Sequence, residues 1–258
     1  MNLDNSLIVI ESQNKKYLTV IKSDDHFITN DGKISYNDIK SIPSIVISST
    51  GKEFNIYKPS YKEFILLMRR GPQIIYPKDI GSIIVEANIN NKSTVLEIGT
   101  GSGALTLYLI LILGKIGKVF SIDSEKKNQY RANKTIERYI SSFAVEFEYN
   151  LELIQSELIN FSLNDILDNI DTIITDVPEP WEFFNNNKIE NNITWVSYLP
   201  SISQVEKLTN TLKDNNFKNI EIKENLERYW IIKDKILRPK NEMVGHTGFI
   251  VSSRYISE

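Results

Sequence analysis

The pattern of apolar and polar positions changes its period along the chain. Up to about residue 58, short β-type apolar runs are separated by turn residues, and none has helical spacing. The dipeptide Asp31-Gly32 between two such runs is typical of a β-hairpin. We therefore predict a small antiparallel sheet or barrel over residues 1–59. Its predicted strands are Leu7–Ile10, Tyr17–Ile21, Ile45–Ile47 and Phe54–Tyr57.

From residue 60 the pattern turns helical, and from residue 94 strands and helices alternate. Ser60 is suited to cap one helix and Pro77 to begin the next. The alternation predicts an α/β fold with a doubly wound sheet over residues 60–258, which ends in an antiparallel edge pair. Predicted strands are Thr94–Ile98, Lys118–Ile122, Val145–Tyr149, Thr172–Asp176, Thr194–Leu199, Asn219–Glu224 and Phe249–Tyr255; predicted helices are Lys78–Ala87, Ala104–Leu113, Glu125–Tyr139 and Ile202–Asp214.

A glycine-rich turn lies between the first strand of this sheet and the helix that follows. Such a turn lets the backbone approach a nucleotide closely at a helix N-terminus. The spacing G-x-G-x-G is one residue short of the dinucleotide pattern, and the Glu97 carboxylate suits a cationic ligand better than a pyrophosphate. We predict S-adenosylmethionine as the cofactor, with NAD as the alternative. The predicted contacts are Glu97, Gly99, Thr100, Gly101, Ser102, Gly103 and Ala104.

Three further acids follow predicted strands. Asp123 is placed to accept hydrogen bonds from ribose hydroxyls, although it could equally cap the next helix. Glu157 is a candidate for the adenine amino group, or an ordinary surface charge. Asp176 precedes a rigid Val-Pro-Glu-Pro exit and would lie at the ligand crevice.

Aromatic residues near Asp176 point to a base as the second ligand. Trp181 would pack near the base or belong to the core, and Tyr76 and Tyr198 suit stacking or hydrogen bonding to a flipped base. Each of these aromatics taken alone is more often structural. His246 has no carboxylate–serine context, so we interpret it as a structural hydrogen-bonding group or as part of an interface.

Composition narrows the class of protein. The 258 residues are 41% hydrophobic and 24% charged, as in ordinary globular domains. No Cys and two His exclude a thiol nucleophile, a disulfide framework and a histidine-rich metal centre. We find no membrane-spanning run or targeting signal and predict a cytoplasmic protein without a metal.

The charge of the chain neither supports nor excludes nucleic-acid binding. A net charge of −3 argues mildly against it, but 30 Lys and Arg residues can gather on one face. Two clusters are candidates for phosphate contacts, and solvated charge is the alternative for each residue. The clusters are Lys58, Lys62, Arg69, Arg70 and Lys78, and Arg228, Lys233, Lys235, Arg238 and Lys240.

Three motifs taken together resemble the tRNA (adenine-N1)-methyltransferase family, which modifies position 58 of the T-loop, in its single-chain archaeal and bacterial form. They are Tyr76-Pro77-Lys78-Asp79, the stretch from Asp176 to Trp181, and Gly245-His246-Thr247-Gly248-Phe249. The resemblance implies a class I S-adenosylmethionine-dependent methyltransferase fold with an N-terminal β-domain, a tRNA substrate and a homotetramer.

The same resemblance implies roles for individual residues. Asp176 matches the catalytic aspartate of the family and also borders the cofactor, while Tyr76 and Tyr198 match tyrosines of the target-base pocket. One departure is Ile122-Asp123, where members often carry an aromatic residue and Glu. Candidate substrate-binding residues are Arg69, Arg70, Gln73, Lys78 and Trp181.

Three other functions stay open at this point. The fold alone permits a methyltransferase for another RNA, a protein or a small molecule. A non-catalytic RNA-binding subunit is a second alternative, although it would be expected to lack the glycine turn or Asp176. An NAD oxidoreductase is disfavoured by the glycine spacing.

Overall fold

A computed structural model describes residues 3–13, 15–68, 74–143, 145–166, 169–233 and 235–257. The chain divides into two compact units, Met1–Gly71 with Asn133–Phe147, and Pro72–Ala132 with Glu148–Glu258. In this division, residues 60–68 belong to the same unit as the N-terminal strands. Our boundary between residues 59 and 60 stays a prediction.

The first unit contains an antiparallel sheet. Its described strands are β1 (Leu7–Ser12), β2 (Lys15–Val20), β3 (His26–Thr29), β4 (Gly32–Ser35), β5 (Ser44–Ile47) and β6 (Glu53–Tyr57). Four of them pair in the order β2-β1-β6-β5, and β3 and β4 form a separate hairpin. Gly32 has φ +100°, which suits the tight turn predicted at Asp31-Gly32. Alternate side chains such as Ile8, Ile10 and Ile56 are fully buried and form the core of this sheet.

Helix α1 (Tyr61–Leu67) begins at a capping box in the first unit. The Glu63 backbone N–H donates to the Ser60 hydroxyl at 3.2 Å, and the Ser60 N–H donates to the Glu63 carboxylate at 3.0 Å. These two bonds satisfy donors that a helix N-terminus leaves free. The N-cap predicted at Ser60 is therefore present.

The second unit contains a seven-stranded sheet with helices. The remaining strands are β7 (Thr94–Ile98), β8 (Lys118–Asp123), β9 (Leu151–Gln155), β10 (Thr172–Thr175), β11 (Ile193–Leu199), β12 (Lys218–Lys223), β13 (Trp230–Lys233), β14 (Ile236–Pro239) and β15 (Phe249–Tyr255). The helices are α2 (Pro77–Glu86), α3 (Ala104–Leu113), α4 (Lys126–Ile140), within which the two units divide, and α5 (Ile202–Asp214). Short 3₁₀ turns lie at Tyr36–Asp38, Leu158–Asn160, Leu163–Asp165 and Pro180–Asn185.

The strand order in this sheet is β12-β15-β11-β10-β7-β8-β9. Strands β7 to β11 pair in parallel, whereas β15 is antiparallel to both β11 and β12. The chain leaves β7 toward β8 and β9 and returns on the other side through β10 and β11. The carboxyl ends of β7 and β10 therefore flank the switch point where ligands bind in such sheets.

Burial explains why the central elements form where the pattern predicts them. Helix α3 is apolar on nearly all sides, and seven of its ten residues are buried. Trp195 of β11 and Phe183 are fully buried in the same core cluster. Parallel strands are covered on both faces, and all four residues of β10 are accordingly buried.

One predicted strand is wrong. Residues 145–149 contain no strand, and the sheet instead takes Leu151–Gln155. The two segments have similar polar and apolar alternation, so periodicity alone does not separate them. The side chain of Val145 is 77% exposed, whereas Leu151 pairs with Val119 of β8.

The hairpin of β13 and β14 was not predicted. Its apolar residues face solvent, so the segment lacks the half-buried alternation that signals a strand. In the described parts of the chain, no helix is both long enough and apolar enough to cross a membrane.

Candidate functional site

A cavity of about 650 Å³ opens at the carboxyl ends of the parallel strands of the second unit. Its size and position are those of a small-molecule site in a doubly wound sheet. Its walls come from the glycine turn, from the ends of β8, β10 and β11, and from residues after β9. The lining includes Gly99, Gly101, Asp123, Glu125, Asn128, Glu157, Asp176, Pro178, Glu179, Glu182, Tyr198, Pro200 and Gln204.

The glycine turn requires glycine for two separate reasons. Gly99, Gly101 and Gly103 have φ values of +103°, +53° and +77°, a region that other residues rarely adopt. A Cβ on Gly99 would lie 2.5 Å from the carbonyl oxygen of Asp176, and one on Gly103 would lie 2.7 Å from the Cα of Ala132. Glycine therefore allows the turn to lie directly against the end of β10.

Asp123 tethers the glycine turn to the start of α4. Its carboxylate accepts from the Gly101 N–H at 2.9 Å and from the Glu125 N–H at 2.8 Å, and the Asn128 amide lies 3.2 Å away. The capping alternative is thus present. The same Asn128 amide lies 3.3 Å from the second oxygen, so four contacts occupy the roughly four lone-pair sites of the carboxylate. A ribose hydroxyl would take the place of the shared Asn128 amide at one oxygen.

Glu97 is a buried acid behind the glycine turn. One oxygen accepts from the Thr106 hydroxyl at 2.6 Å and from the Ser121 hydroxyl at 2.5 Å, while Oε1 has no partner among the described residues. Burial raises the pKa of Glu97 to about 8, against the opposing effect of these hydrogen bonds. A buried unpaired acceptor is costly, which suits a donor supplied by a ligand.

Asp176 stands at the end of β10, as predicted. Its backbone N–H donates to the Ile98 carbonyl at 2.8 Å, which fixes its position beside the end of β7. Its side chain is partly exposed and lines the cavity. Burial raises the pKa of Asp176 to about 7, so a proton or a nearby cation is favoured there at neutral pH.

The electrostatic character of the cavity distinguishes between the two cofactor candidates. Among the described residues that line it, none is Lys, Arg or His. Its acids are Asp123, Glu125, Glu157, Asp176, Glu179 and Glu182. An acidic cavity favours a cation and repels a pyrophosphate, so the residues fit S-adenosylmethionine, which carries a sulfonium and an ammonium group, better than NAD.

The two predicted base-pocket tyrosines differ in position. Tyr198 is 6% exposed and lines the cavity together with Asp176. Tyr76 is half-buried at the N-cap of α2, where its carbonyl accepts from the Asp79 and Ile80 N–H groups. Tyr76 is not among the residues that line the cavity, so this conformation brings only Tyr198 beside Asp176.

Two predicted substrate contacts, Trp181 and Lys78, have protein partners in the structure that favour the structural alternative for each. The Trp181 side chain packs against the core cluster, and the Lys207 ammonium lies 4.1 Å from its ring centre, so core packing explains it. The Lys78 side chain is 11% exposed and pairs with the buried Asp79 carboxylate at 2.8 Å. A buried ammonium with several acceptors is not a phosphate contact.

The other predicted residues fall into three groups. Glu157 is exposed and lines the cavity, where it accepts from the Asn160 amide at 3.3 Å. Arg69, Arg70 and Gln73 lie outside the described residues. The side chain of Thr100 is buried against Ser121, and Ser102, Gly103 and Ala104 form the start of α3 without lining the cavity.

Sequence reasoning missed several lining residues. Glu179 and Glu182 follow the Pro178 turn, and Asn128 lies one helical turn into α4. The excess of acids after the predicted strand of Asp176 was the available signal, since acids there face the same crevice. Gln204 was not detectable, because its position depends on how α5 packs.

His246 has a structural contact at the rim of the cavity. Its Nδ1 lies 2.6 Å from the Glu224 carboxylate and its Nε2 lies 3.0 Å from the carbonyl oxygen of Pro200. The hydrogen bond with Glu224 raises the pKa of His246. This agrees with the interpretation of His246 as a hydrogen-bonding group.

The basic residues of the second cluster lie on or next to the hairpin of β13 and β14. Arg228, Lys235, Arg238 and Lys240 are exposed, and the side chain of Lys233 is not described. In the first cluster, Lys58 donates to the carbonyl of Ser142 at 3.0 Å. The described residues include no group of three or more His, Asp or Glu arranged to hold a metal ion.

Comparison with known proteins identifies the family. A family model described as the tRNA methyltransferase complex GCD14 subunit matches residues 58–243, which is more than half of the chain. The chain belongs to this GCD14 family. The matched range includes the glycine turn, Asp176 and Tyr198.

Two curated proteins cover nearly the whole GCD14-family chain. It is 34% identical to the tRNA (adenine(57)-N(1)/adenine(58)-N(1))-methyltransferase TrmI of Methanocaldococcus jannaschii, over 96% of this chain and 94% of that protein. It is 26% identical to the tRNA (adenine(58)-N(1))-methyltransferase TrmI of Thermus thermophilus, over 96% of each.

Solved structures confirm the fold of this family member. The tRNA (m1A58) methyltransferase TrmI from Aquifex aeolicus matches with a TM-score of 0.80 and 26% identity, over 99% of this chain and 98% of that chain. A SAM-dependent O-methyltransferase from Thermotoga maritima matches with a TM-score of 0.88 and 23% identity, over 98% and 94%. The predicted class I methyltransferase fold is confirmed.

Replacement of Gly101 tests the glycine turn as a cofactor site. A Cβ at this position meets no atom within 4 Å, so Gly101→Val places its side chain in open space beside the cavity. We expect binding of S-adenosylmethionine to be lost in isothermal titration calorimetry.

Gly51→Val is the matched control. Gly51 also has a positive φ, +81°, and free space around a Cβ, but it lies in the first unit. Both variants carry backbone strain of about 1–2 kcal/mol. Binding retained by Gly101→Val, or lost equally in Gly51→Val, contradicts a specific role for the turn.

Proposed function

We propose that this chain transfers a methyl group from S-adenosylmethionine to N1 of adenine 58 in the T-loop of tRNA. The observation that carries the proposal is the placement of Asp176 directly against the glycine turn in an acidic cavity. Support also comes from the 34% identity to a TrmI protein over 96% of the chain. The glycine turn and Asp176 together favour a catalytic chain over a non-catalytic subunit.

The residues of the cavity fit the donor. Bound S-adenosylmethionine would supply an electrophilic methyl group on a sulfonium. Gly99 and Gly101 line the cavity and allow close backbone approach, and Asp123 would accept from a ribose hydroxyl in place of the Asn128 amide. Glu97 lies behind the glycine turn, not in the cavity lining, and its Oε1 has no partner among the described residues. Glu157 is the candidate for the adenine amino group, from its exposed position at the cavity wall.

Asp176 is the candidate catalytic residue for the acceptor base. A base in folded RNA must turn out of its stack before its N1 edge can enter a cavity. Asp176 would then accept a hydrogen bond from the exocyclic amine, which increases electron density on N1 and stabilises the positive charge that forms on the ring. The Tyr198 ring, beside Asp176 in the cavity lining, would hold the plane of the base. The remaining requirement is alignment of the donor methyl group with N1 of the base. Tyr76, which the resemblance assigns to the base pocket, remains a candidate for contact with the base from the start of α2.

Assembly and substrate binding complete the proposal. The exposed Arg228, Lys235, Arg238 and Lys240 are candidates for phosphate contacts that carry no sequence information. We also propose a homotetramer that acts in the cytoplasm. The support for assembly is the hairpin of β13 and β14, where Ile232 and Leu237 pair across the strands with 81% and 66% of their side chains exposed.

The position of methylation provides the direct test of function. We expect purified protein and S-adenosylmethionine to place a methyl group at N1 of adenine 58 in a tRNA transcript, mapped by mass spectrometry of ribonuclease fragments. A transcript with uridine at position 58 is the control. Because the M. jannaschii relative is named for positions 57 and 58, the map includes both adenines. Methylation that persists outside the T-loop, or absence of tRNA methylation, contradicts the proposal.

Removal of the Asp176 carboxylate tests the mechanism. We expect Asp176→Ala to lower turnover on tRNA by at least ~100-fold, the effect of losing one key electrostatic contact, while S-adenosylmethionine binding stays nearly intact. Glu179→Ala is the matched control, since it removes a neighbouring carboxylate from the same cavity. Near-normal turnover of Asp176→Ala, or an equal loss in Glu179→Ala, would show that Asp176 has no special role.

The hairpin offers a test of assembly. Ile232 is so exposed that Ile232→Lys is tolerated by an isolated chain, but the charge would be buried if the hairpin lies in an interface. We expect light scattering to report four chain masses for the unaltered protein and a smaller assembly for Ile232→Lys. Val85→Lys, at a site that is 75% exposed on α2, is the control. An unaltered protein that is monomeric refutes the tetramer.

A further inference from the structure

Asp79 is a fully buried carboxylate that the proposed chemistry does not use. It lies in the first turn of α2 and is 0% exposed. Its Oδ1 accepts from the Lys78 ammonium at 2.8 Å and from the Asn225 amide at 3.0 Å. Its Oδ2 accepts from the Lys78 ammonium at 2.9 Å and from the Thr247 hydroxyl at 2.7 Å. Both oxygens are therefore satisfied by partners from three parts of the chain.

Lys78 is held as firmly as Asp79. Besides the carboxylate, its ammonium donates to the Asn225 carbonyl at 2.9 Å and to the Thr247 hydroxyl at 2.7 Å. A buried ion pair is weak evidence for stability, because desolvation offsets much of the attraction. Its well-attested contribution is orientation, since charged partners with fixed hydrogen bonds allow one arrangement only.

The group that it orients is Tyr198. The hydroxyl of Tyr198 donates to Asp79 Oδ2 at 3.4 Å, while its ring lines the cavity beside Asp176. The Gly248 backbone lies against the same ring, since a Cβ on Gly248 would come within 2.5 Å of Tyr198 Cζ. The Tyr198 hydroxyl is also hydrogen-bonded with the Thr247 hydroxyl, which itself donates to Asp79. Asp79 therefore holds the Tyr198 hydroxyl both directly and through Thr247, and the ring is the part of Tyr198 that faces the cavity.

We propose that Asp79, paired with Lys78, is a positioning residue. It fixes the ring of Tyr198 in the part of the cavity beside Asp176, where the acceptor base would bind. The inference rests on the proposed methyl transfer to a base, because a planar substrate is what a fixed aromatic ring orients. Asp79 touches neither substrate nor cofactor, and it acts through the Tyr198 hydroxyl. Thr247 and Gly248 hold the same ring from the segment before β15.

A double-mutant cycle in turnover tests this action through Tyr198. We expect Asp79→Asn to lower kcat on tRNA about tenfold in the otherwise unaltered protein, and less than about twofold in the Tyr198→Phe background, where the shared hydrogen bond is already absent. The dissociation constant for S-adenosylmethionine should change in neither background. Equal losses in both backgrounds, or a parallel loss of cofactor binding, overturn the proposal.

Asp171→Asn provides the matched control cycle. Asp171 also accepts a hydrogen bond, from the Thr94 N–H at 2.7 Å, but it lies at the amino ends of β7 and β10. Its effect should be the same with and without Tyr198→Phe. If Asp79→Asn does not fold, as judged by circular dichroism, Asn225→Ala replaces it in the cycle. This change removes the amide donor to Asp79 Oδ1, while the backbone carbonyl of residue 225 can still accept from Lys78 and the ion pair is kept.

A spectroscopic readout separates this proposal from the proposed function. In protein labelled with 3-fluorotyrosine, Tyr198 is assigned as the ¹⁹F signal that disappears in Tyr198→Phe. We expect a sharp signal in the otherwise unaltered protein and exchange broadening in Asn225→Ala and Asp79→Asn, because the ring gains motion. An unchanged line shape refutes the positioning role. Failure of the unaltered protein to methylate tRNA refutes the proposed function, and the line shape still decides whether Asp79 positions the ring.

Discussion

The site depends on acidic side chains that no basic side chain among the described residues pairs with. Glu97 and Asp176 lie beside each other at the switch point of the sheet, and among the described residues no Lys or Arg pairs with either carboxylate. Burial raises the pKa of Glu97 to about 8 and that of Asp176 to about 7. The folded chain tolerates these acids either by holding protons or by binding a cation. A cationic cofactor is the natural partner of such a cavity.

The same charge distribution suits both ends of a methyl transfer. In the proposed reaction, the positive charge begins on the donor sulfur and ends on the methylated ring, and it remains within the acidic cavity throughout. Fixed carboxylates can stabilise it at both positions without rearrangement of the protein, which is the condition for electrostatic preorganisation. The acids Glu125, Glu179 and Glu182 extend this environment to the cavity wall.

The sequence predicts this site well where the signals are local. Strand, glycine turn and helix follow each other within residues 94–113, and short-range spacing identifies all three. Asp123 and Asp176 were found because they end strands, and strand ends meet at one edge of a parallel sheet. Leu151–Gln155 was misplaced because the preceding segment has the same alternation, and only burial separates the two.

Contacts between distant segments could not be predicted. From the sequence, Lys78 is predicted to be an exposed basic side chain. In the structure it is held by Asn225 and Thr247, which lie 147 and 169 positions away in the chain, too far for a local pattern to detect. Trp181 follows Asp176 closely in the chain, but its ring packs on the core and not into the cavity. The direction of a side chain after a strand depends on tertiary packing, which periodicity does not report.

The close approach of Gly99 to the carbonyl of Asp176 has a consequence for how such sites diversify. The contact joins main chain to main chain, so the spacing between the donor-binding turn and the acid does not depend on the side chains around them. The segments that carry Tyr198, Thr247 and Gly248 are separate from that contact. Substitutions in these segments can alter which acceptor molecule binds, while the distance between the donor-binding turn and Asp176 stays the same. Substrate specificity can therefore change during evolution without any change in the part of the fold that carries the methyl-transfer chemistry.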